Sequence, residues 1–183
     1  MPSDTGRISR LCKFWTLVFS MAALCATAAG GQAAAQTGAT DIRGMAEVVD
    51  ADIIRLGNQR VILWGIDAPE RKQTCRLNGE LWGCYDVAFR HLQLLAGRGE
   101  VVCFLVGDPD PFGRRFGVCE SGGTDLNAEM VKAGQALAYE EETDAYLPQM
   151  AEAIAAGVGL WQLGAQFEEP WVFRRRETPG GFR

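Results

Sequence analysis

Two β-strand patterns around Gly57-Asn58 leave few folds open to the first half of this 183-residue chain. The first pattern covers residues 45–56, and the second covers residues 60–66. A Gly-Asn pair between two such segments is a hairpin signal, here in the less usual order of the two residues. Residues 61–63 are apolar at successive positions, which is typical of a strand covered on both faces. We therefore expect a β-sheet in which the second strand is central.

Helical patterns are interspersed with the strands and dominate the later part of the chain. Their expected bounds are residues 85–96, 125–133 and 148–156. Gly97 follows the first pattern, Asp125 is a candidate N-cap for the second, and Pro148 suits the first turn of the third. Two further strands, residues 101–106 and 115–119, flank a loop. Strands first, with helices between and after them, predict an α+β domain with a small curled sheet or barrel.

The first 35 residues have the pattern of an export signal. Three basic residues precede residues 14–29, which are apolar or small throughout, and Ala33-Ala34-Ala35 provides an A-x-A cleavage site. The apolar run of 16 residues is shorter than the ~20 needed to cross a bilayer. We expect cleavage after Ala35, no stable membrane span afterwards, and a periplasmic or secreted product. An uncleaved membrane anchor is the alternative interpretation.

The remaining 148 residues have the size of one domain. We expect a linker at residues 36–43, a single domain at residues 44–173, and a flexible tail with solvated arginines at residues 174–183. Without the signal, 15 basic and 22 acidic residues remain, a net charge of −7. That sign excludes nucleic-acid binding by bulk charge, so any such function depends on a local site. The oligomeric state expected is a monomer.

Four cysteines follow the signal: Cys75, Cys84, Cys103 and Cys119. An even count suits an oxidising compartment and favours disulfides. Pairing of Cys75 with Cys84 closes a short loop, and Cys103 and Cys119 are equally far from a turn near Pro111, so they can face each other across a hairpin. Zinc binding is the alternative, but the chain has no C-x-x-C spacing and only one histidine.

Three segments place polar groups where strands are expected to end. They are Asp50-Ala51-Asp52, Asp67-Ala68-Pro69-Glu70-Arg71 and Asp110-Pro111-Phe112-Gly113-Arg114-Arg115. Carboxylates at strand ends can converge on a hard cation, which prefers oxygen ligands. A glutamate near them can hold or deprotonate a water, and an arginine can neutralise charge on a phosphoryl group. Each segment alone is an ordinary turn or loop, but their order among the strands favours a phosphoryl-transfer site.

In this order the segments resemble the staphylococcal nuclease (thermonuclease) family, over residues 47–161. The resemblance is carried by VVDADIIRL, VILWGIDAPE, DPFGRR, DLNAEMVKAGQALAY and AEAIAAGVGLW. It implies a five-stranded OB-type barrel with about three helices. It also implies a metal-dependent nuclease that hydrolyses DNA or RNA phosphodiester bonds with little base specificity.

The resemblance also implies a role for particular residues. Asp52 and Asp67 match carboxylates that bind a calcium ion, with the backbone carbonyl of Ala68 as a further ligand. Glu70 matches a glutamate that positions or activates the attacking water, and Arg114 matches an arginine that stabilises the phosphate in the transition state. The expected protein is therefore an exported, calcium-dependent nuclease with nucleic acid as its partner.

One departure from the family pattern bears on activity. The family places a second phosphate-binding arginine five residues before Asp67, where this chain has Ile62. Arg60 lies two residues earlier, on the same face of an extended strand and about 6.6 Å along it. Slow turnover is the expectation for an enzyme with this change. The alternatives are a non-catalytic OB-fold binding module of the cell envelope that keeps the nuclease scaffold, and a disulfide-stapled structural protein without a ligand site.

Overall fold

The computed structural model of the chain describes residues 41–178. The expected signal peptide, residues 1–35, lies outside the described residues, as do residues 36–40 of the expected linker and residues 179–183 of the expected tail. The last residues of the linker are not a connecting segment, because Asp41–Gly44 form a strand that pairs with residues 101–104. Among residues 41–178, no helix is long and apolar enough to cross a bilayer.

The described residues form twelve short strands and four α-helices. The strands are β1 (Asp41–Gly44), β2 (Ala46–Asp50), β3 (Ile53–Leu56), β4 (Gln59–Leu63), β5 (Ile66–Asp67), β6 (Cys75–Leu77), β7 (Glu80–Trp82), β8 (Val101–Val106), β9 (Arg115–Ser121), β10 (Thr124–Asp125), β11 (Leu137–Ala138) and β12 (Ala165–Gln166). The helices are α1 (Cys84–Ala96), α2 (Leu126–Lys132), α3 (Leu147–Ala156) and α4 (Pro170–Glu177). The predicted α+β class is confirmed.

The main sheet has the strand order β1-β8-β9-β4-β3-β2, with β10 paired to β9. Strand β4 runs parallel to β9, and the other neighbours are antiparallel. Within residues 41–178 no pairing joins β1 to β2, so the five-stranded closed barrel is not confirmed. Two small sheets, β11-β5 and β12-β6-β7, lie beside the main one. Helix α4 is additional to the three helices that the sequence predicted.

Strand β4 is covered on both faces, as its apolar run predicted. Val61, Ile62 and Leu63 are all fully buried. Val61 and Leu63 belong to the main core, together with apolar residues of α1 and α2. Because successive side chains of a strand point to opposite faces, Ile62 is buried on the other face. An apolar residue therefore fills the position where the family has a charged one.

Both favoured disulfides are present. Cys75–Cys84 joins β6 to the start of α1, and Cys103–Cys119 joins β8 to β9 at directly paired positions. All four thiols are thereby engaged, which removes them as zinc ligands. The first cross-link anchors β6, the strand after the segment that follows β5, and the second joins two neighbouring strands of the main sheet.

Candidate active site

Asp67 is the last residue of β5, and its position is set by the turn that precedes it. Gly65 has a φ of +78°, and a Cβ there would lie 2.4 Å from a Thr143 carbon, so only glycine fits. The Gly65 N–H donates to Glu142 Oε2 at 2.7 Å, and its carbonyl accepts from the Tyr139 N–H at 2.9 Å. Pairing of Asp67 with Leu137 of β11 completes the support. These contacts fix the backbone position from which the fully buried Asp67 carboxylate projects.

The same turn is held from the core side by Asn127 of α2. This fully buried amide donates to the carbonyls of Trp64 and Gly117 at 2.8 and 3.2 Å, and its oxygen accepts from the Cys119 N–H at 3.1 Å. A buried amide with its hydrogen bonds satisfied stabilises the structure that it connects. One side chain of α2 therefore connects strand β9 to the approach to β5.

Glu70 lies three residues beyond Asp67 in a turn organised by Gln73. The Glu70 N–H donates to Gln73 Oε1 at 3.0 Å, and the Gln73 N–H donates to the Glu70 carbonyl at 2.7 Å. The Gln73 side chain is buried, and its Nε2 donates to the carbonyl of Glu168 at 2.6 Å. One side chain thus ties the Glu70 turn to the segment that leads into α4.

Arg174 of α4 joins the two carboxylates. Its Nη2 donates to both oxygens of Asp67 at 2.6 Å, and its Nε donates to Glu70 Oε1 at 2.6 Å. The composition of residues 174–183 predicted a flexible tail with solvated arginines, and for Arg174 this was wrong: residues 174–177 form the end of α4, and the Arg174 side chain is only 13% exposed. The run of three arginines concealed that one of them faces inward.

Burial and charge oppose each other in this cluster. Burial raises the pKa of Glu70 above its usual range, the Arg174 guanidinium lowers it, and the charges of Asp52 and Asp50 raise it further. Burial alone would lower the pKa of Arg174, but Asp67 and Glu70 raise it overall, so the guanidinium stays charged. Asp52, Asp67 and Glu70, which the sequence predicted as site residues, therefore belong to one electrostatic neighbourhood.

These residues do not fit a divalent cation in the arrangement described. Both oxygens of Asp67 accept from Arg174, as does Oε1 of Glu70. Among residues 41–178 there is no group of three or more His, Cys, Asp or Glu side chains arranged to hold a metal ion. Ala68 is buried in the main core next to Asp67. The calcium ligands predicted at Asp52, Asp67 and Ala68 therefore stay a prediction.

Arg114, the other predicted catalytic residue, lies in a separate cleft. Its Nε donates to Asp110 Oδ2 at 2.5 Å, and its N–H donates to Asp110 Oδ1 at 2.8 Å. Hydrogen bonds from Arg114 and Phe112 lower the pKa of Asp110, although burial opposes them. Arg60 and Arg114 line the same cleft of about 250 Å³. Arg60 thus joins Arg114, and neither lines the cleft beside Glu70.

The cleft beside Glu70 has a volume of about 300 Å³ and is rich in cations. Arg71, Lys72 and Arg174 all line it. Arg71 is anchored through its Nη2, which donates to the Val49 carbonyl at 2.9 Å and lies 3.5 Å from an Asp50 oxygen. Lys72 and Arg174 were not predicted from the sequence. Lys72 could have been found because it directly follows the Asp67–Arg71 segment, whereas no sequence signal indicated Arg174. The cleft offers two carboxylates, Glu70 and Glu177, beside three positive groups, which suits a phosphoryl group and a water.

Comparison with known proteins agrees with the motifs. The family model described as staphylococcal nuclease homologue matches residues 60–163, which include Asp67, Glu70 and Arg114 but neither Asp52 nor α4. The succinoglycan biosynthesis protein ExoI of Rhizobium meliloti (strain 1021) is 31% identical over 130 residues, which cover 68% of this chain. The chain spans 66% of the length of that relative. The chain belongs to the staphylococcal nuclease homologue family.

Proposed function

We propose that this protein is an exported nuclease that hydrolyses phosphodiester bonds of DNA or RNA. The observation that carries the proposal is the contact of the Glu70 carboxylate with a guanidinium in a cleft lined by three cations. Family membership supports the same reaction class, since nucleic acids are the family's substrates. Because the chain after the signal has a net charge of −7, its overall charge repels a polyanion. Binding of nucleic acid therefore depends on the cations of this cleft.

The chain's own groups divide the work as follows. Arg71, Lys72 and Arg174 bind the non-bridging oxygens of the scissile phosphate. Oε1 of Glu70 accepts from Arg174, so Oε2, which has no hydrogen-bond donor among residues 41–178, accepts a proton from a water. That water forms the new bond to phosphorus, and the bond from phosphorus to the opposite ester oxygen breaks. The departing oxygen takes up a proton from solvent and leaves as an alcohol, and the proton that Glu70 accepted passes back to solvent.

In this proposal Arg114 contacts the substrate only when the polynucleotide reaches both clefts. A polynucleotide carries one charge per phosphate along its length, so flanking phosphates provide such contacts. Arg60 and Arg114 line one cleft, and Glu70 lines the other. We therefore propose that the Arg60–Arg114 cleft binds a phosphate next to the one that is cleaved.

A calcium requirement is a further part of the family expectation. Asp52, Asp67 and the Ala68 carbonyl would hold the ion, which would supply charge neutralisation at the phosphate. The hydrogen bonds of Arg174 to Asp67 must break before these ligands are available. For this reason every step above uses only side chains of the protein.

The location proposed for the protein is the periplasm or the extracellular space. The two disulfides are of the kind that persists in oxidising compartments. The expected signal peptide at residues 1–35 supports export. We propose a monomer there, with nucleic acid as the partner.

Cleavage of single-stranded DNA and of RNA by the purified chain, with both disulfides formed, tests the proposal in calcium and in chelator. Glu70→Gln should slow cleavage about 10²- to 10⁴-fold, since a general base contributes that much. Glu80→Gln in β7, an exposed carboxylate outside the cleft, is the matched control and should cleave at the wild-type rate. Intact substrate after incubation with a demonstrably folded protein would refute the nuclease.

A non-catalytic binding module is the second candidate. It is favoured by the fully buried Ile62 in place of an arginine and by the guanidinium seated on Asp67 and Glu70. A binding module has no chemical need for Glu70 as a base. Saturable binding of an oligonucleotide without cleavage, unchanged in Glu70→Gln, would establish this candidate.

A further inference from the structure

Arg174 comes from a part of the chain that the family match does not include. The match ends at residue 163, and α4 begins at Pro170. Inside the match, the position of the family's second phosphate-binding arginine holds the fully buried Ile62. The chain therefore lacks a guanidinium at that position of β4, and α4 supplies one to Asp67 and Glu70.

Helix α4 is an integral part of the fold. Pro170 at its start is buried, and the Trp171 ring packs on Tyr139 with 5.3 Å between centroids. The carbonyl of Glu168 accepts the 2.6 Å hydrogen bond from the buried Gln73. Arg176 Nη1 lies 2.6 Å from a Glu168 carboxylate oxygen. Contacts of this kind before and along the helix hold Arg174 beside Asp67 and Glu70.

The guanidinium also has donors to spare. Of its five N–H bonds, Nη2 uses two on Asp67 and Nε uses one on Glu70. The two on Nη1 have no hydrogen-bond partner among residues 41–178. Arg174 lines the cleft with Arg71 and Lys72, so Nη1 is available to an anion bound there. Phosphate oxygens are the acceptors that a guanidinium binds best.

We propose that Arg174 is the resident cation of this site and a phosphate-binding residue. It takes the place at Asp67 that a divalent cation would need, and its Nη1 group binds a substrate phosphate in place of the arginine absent at Ile62. The inference rests on the proposed function, because it assigns a residue to the same site. It has its own consequence: the chain binds an oligonucleotide phosphate without any divalent cation.

Oligonucleotide affinity in chelator is the first readout. Binding of a fluorescent oligodeoxythymidylate to the full chain is followed by anisotropy for wild type, Arg174→Gln, Arg174→Lys and Arg175→Gln. Loss of a charge-assisted hydrogen bond should weaken binding about tenfold or more in Arg174→Gln. Arg174→Lys keeps the positive charge but lacks the planar guanidinium, so its affinity should lie between those of wild type and Arg174→Gln. Arg175 is exposed beside it, and its variant should stay within about twofold of wild type.

Calcium alone provides the second readout, as the shift in melting temperature on its addition. Wild type should show no shift, whereas Arg174→Gln should be stabilised because the guanidinium no longer competes with a cation for Asp67. Equal oligonucleotide affinity in wild type and Arg174→Gln would overturn the inference, as would a calcium shift in wild type. Should Arg174→Gln fail to fold, Arg174→Lys decides: weaker binding supports the inference, and unchanged binding overturns it. Cleavage is a separate result, since tight binding without cleavage would refute the nuclease and leave this inference standing.

Discussion

Replacement of Arg174 by glutamine should destabilise the fold more than the replacement of any other charged residue in α4. The change removes the Arg174 guanidinium from Asp67, whose side chain is 0% exposed, and it removes an arginine side chain that is only 13% exposed. Breaking a buried pair by removing one partner costs about 3–5 kcal/mol. The Glu70 end of the bridge is 32% exposed and partly screened, so it adds about 1 kcal/mol or less. We expect a loss of about 3–6 kcal/mol in the free energy of unfolding.

A double-mutant cycle with Asp67→Asn separates the pair from the rest of the helix. Asp67→Asn leaves Arg174 with Glu70, so its cost should be smaller, about 1.5–3 kcal/mol for lost charge-assisted bonds. With both partners neutral no buried charge is uncompensated, and the double variant should be less destabilised than the sum of the singles by about 1–3 kcal/mol.

Urea unfolding in chelator, followed by tryptophan fluorescence, measures these free energies, provided that the slope of free energy against urea concentration is the same for wild type and variants. Arg175→Gln is the control and should stay within about 0.5 kcal/mol of wild type. An Arg174→Gln variant as stable as this control, or a double variant whose cost equals the sum of the singles, would refute the bridge as an energetically coupled pair.

Two further outcomes follow from other parts of the fold. Replacing Cys103 and Cys119 by alanine should lower the free energy of unfolding by about 3 kcal/mol, because this disulfide closes a loop with a sequence separation of 16. The same change at Cys75 and Cys84, with a separation of 9, should lower it by about 2.5 kcal/mol. Urea denaturation that shows no loss of stability for the Cys103–Cys119 variant would contradict this. The pKa of Asp110 is lowered in the folded state, so its carboxylate contributes stability above the unfolded pKa of about 3.9, and that stability is lost as pH falls through the folded value. Asp110→Asn should therefore lower the melting temperature at neutral pH, by an amount that shrinks on acidification, and a difference independent of pH would show that the charge is not involved.

Local patterns in the sequence predicted much of the framework. The buried run at β4, the Asp125 cap of α2 and both disulfides depend on residues close together in the chain or symmetric about a turn. In the structure Asp125 accepts the Ala128 N–H at 2.9 Å, as an N-cap should. Asp67 and Glu70 were found because their motif is contiguous and follows an apolar strand. Such features are set by neighbouring residues, so spacing alone reveals them.

The central contact of the site could not be found in this way. Arg174 lies 107 residues from Asp67 and 104 from Glu70, and no periodicity relates them. Its neighbours Arg175 and Arg176 are exposed, so composition indicated a solvated tail. The separation of Arg114 from the Glu70 cleft is likewise a property of how loops are placed on the sheet. Long-range packing decides both, and a single sequence carries no direct record of it.

The fate of the water oxygen tests directly whether Glu70 is the base that activates water for attack on a phosphodiester. A labelled single-stranded DNA oligomer is incubated with excess folded chain in ¹⁸O-enriched water, beside Glu70→Gln, and the product ends are analysed by mass. We expect one heavy oxygen in each new phosphate end and a rate about 10²- to 10⁴-fold lower in the variant. An oligomer that stays intact while bound to the wild-type chain, or that is cut equally fast by Glu70→Gln, would contradict the account.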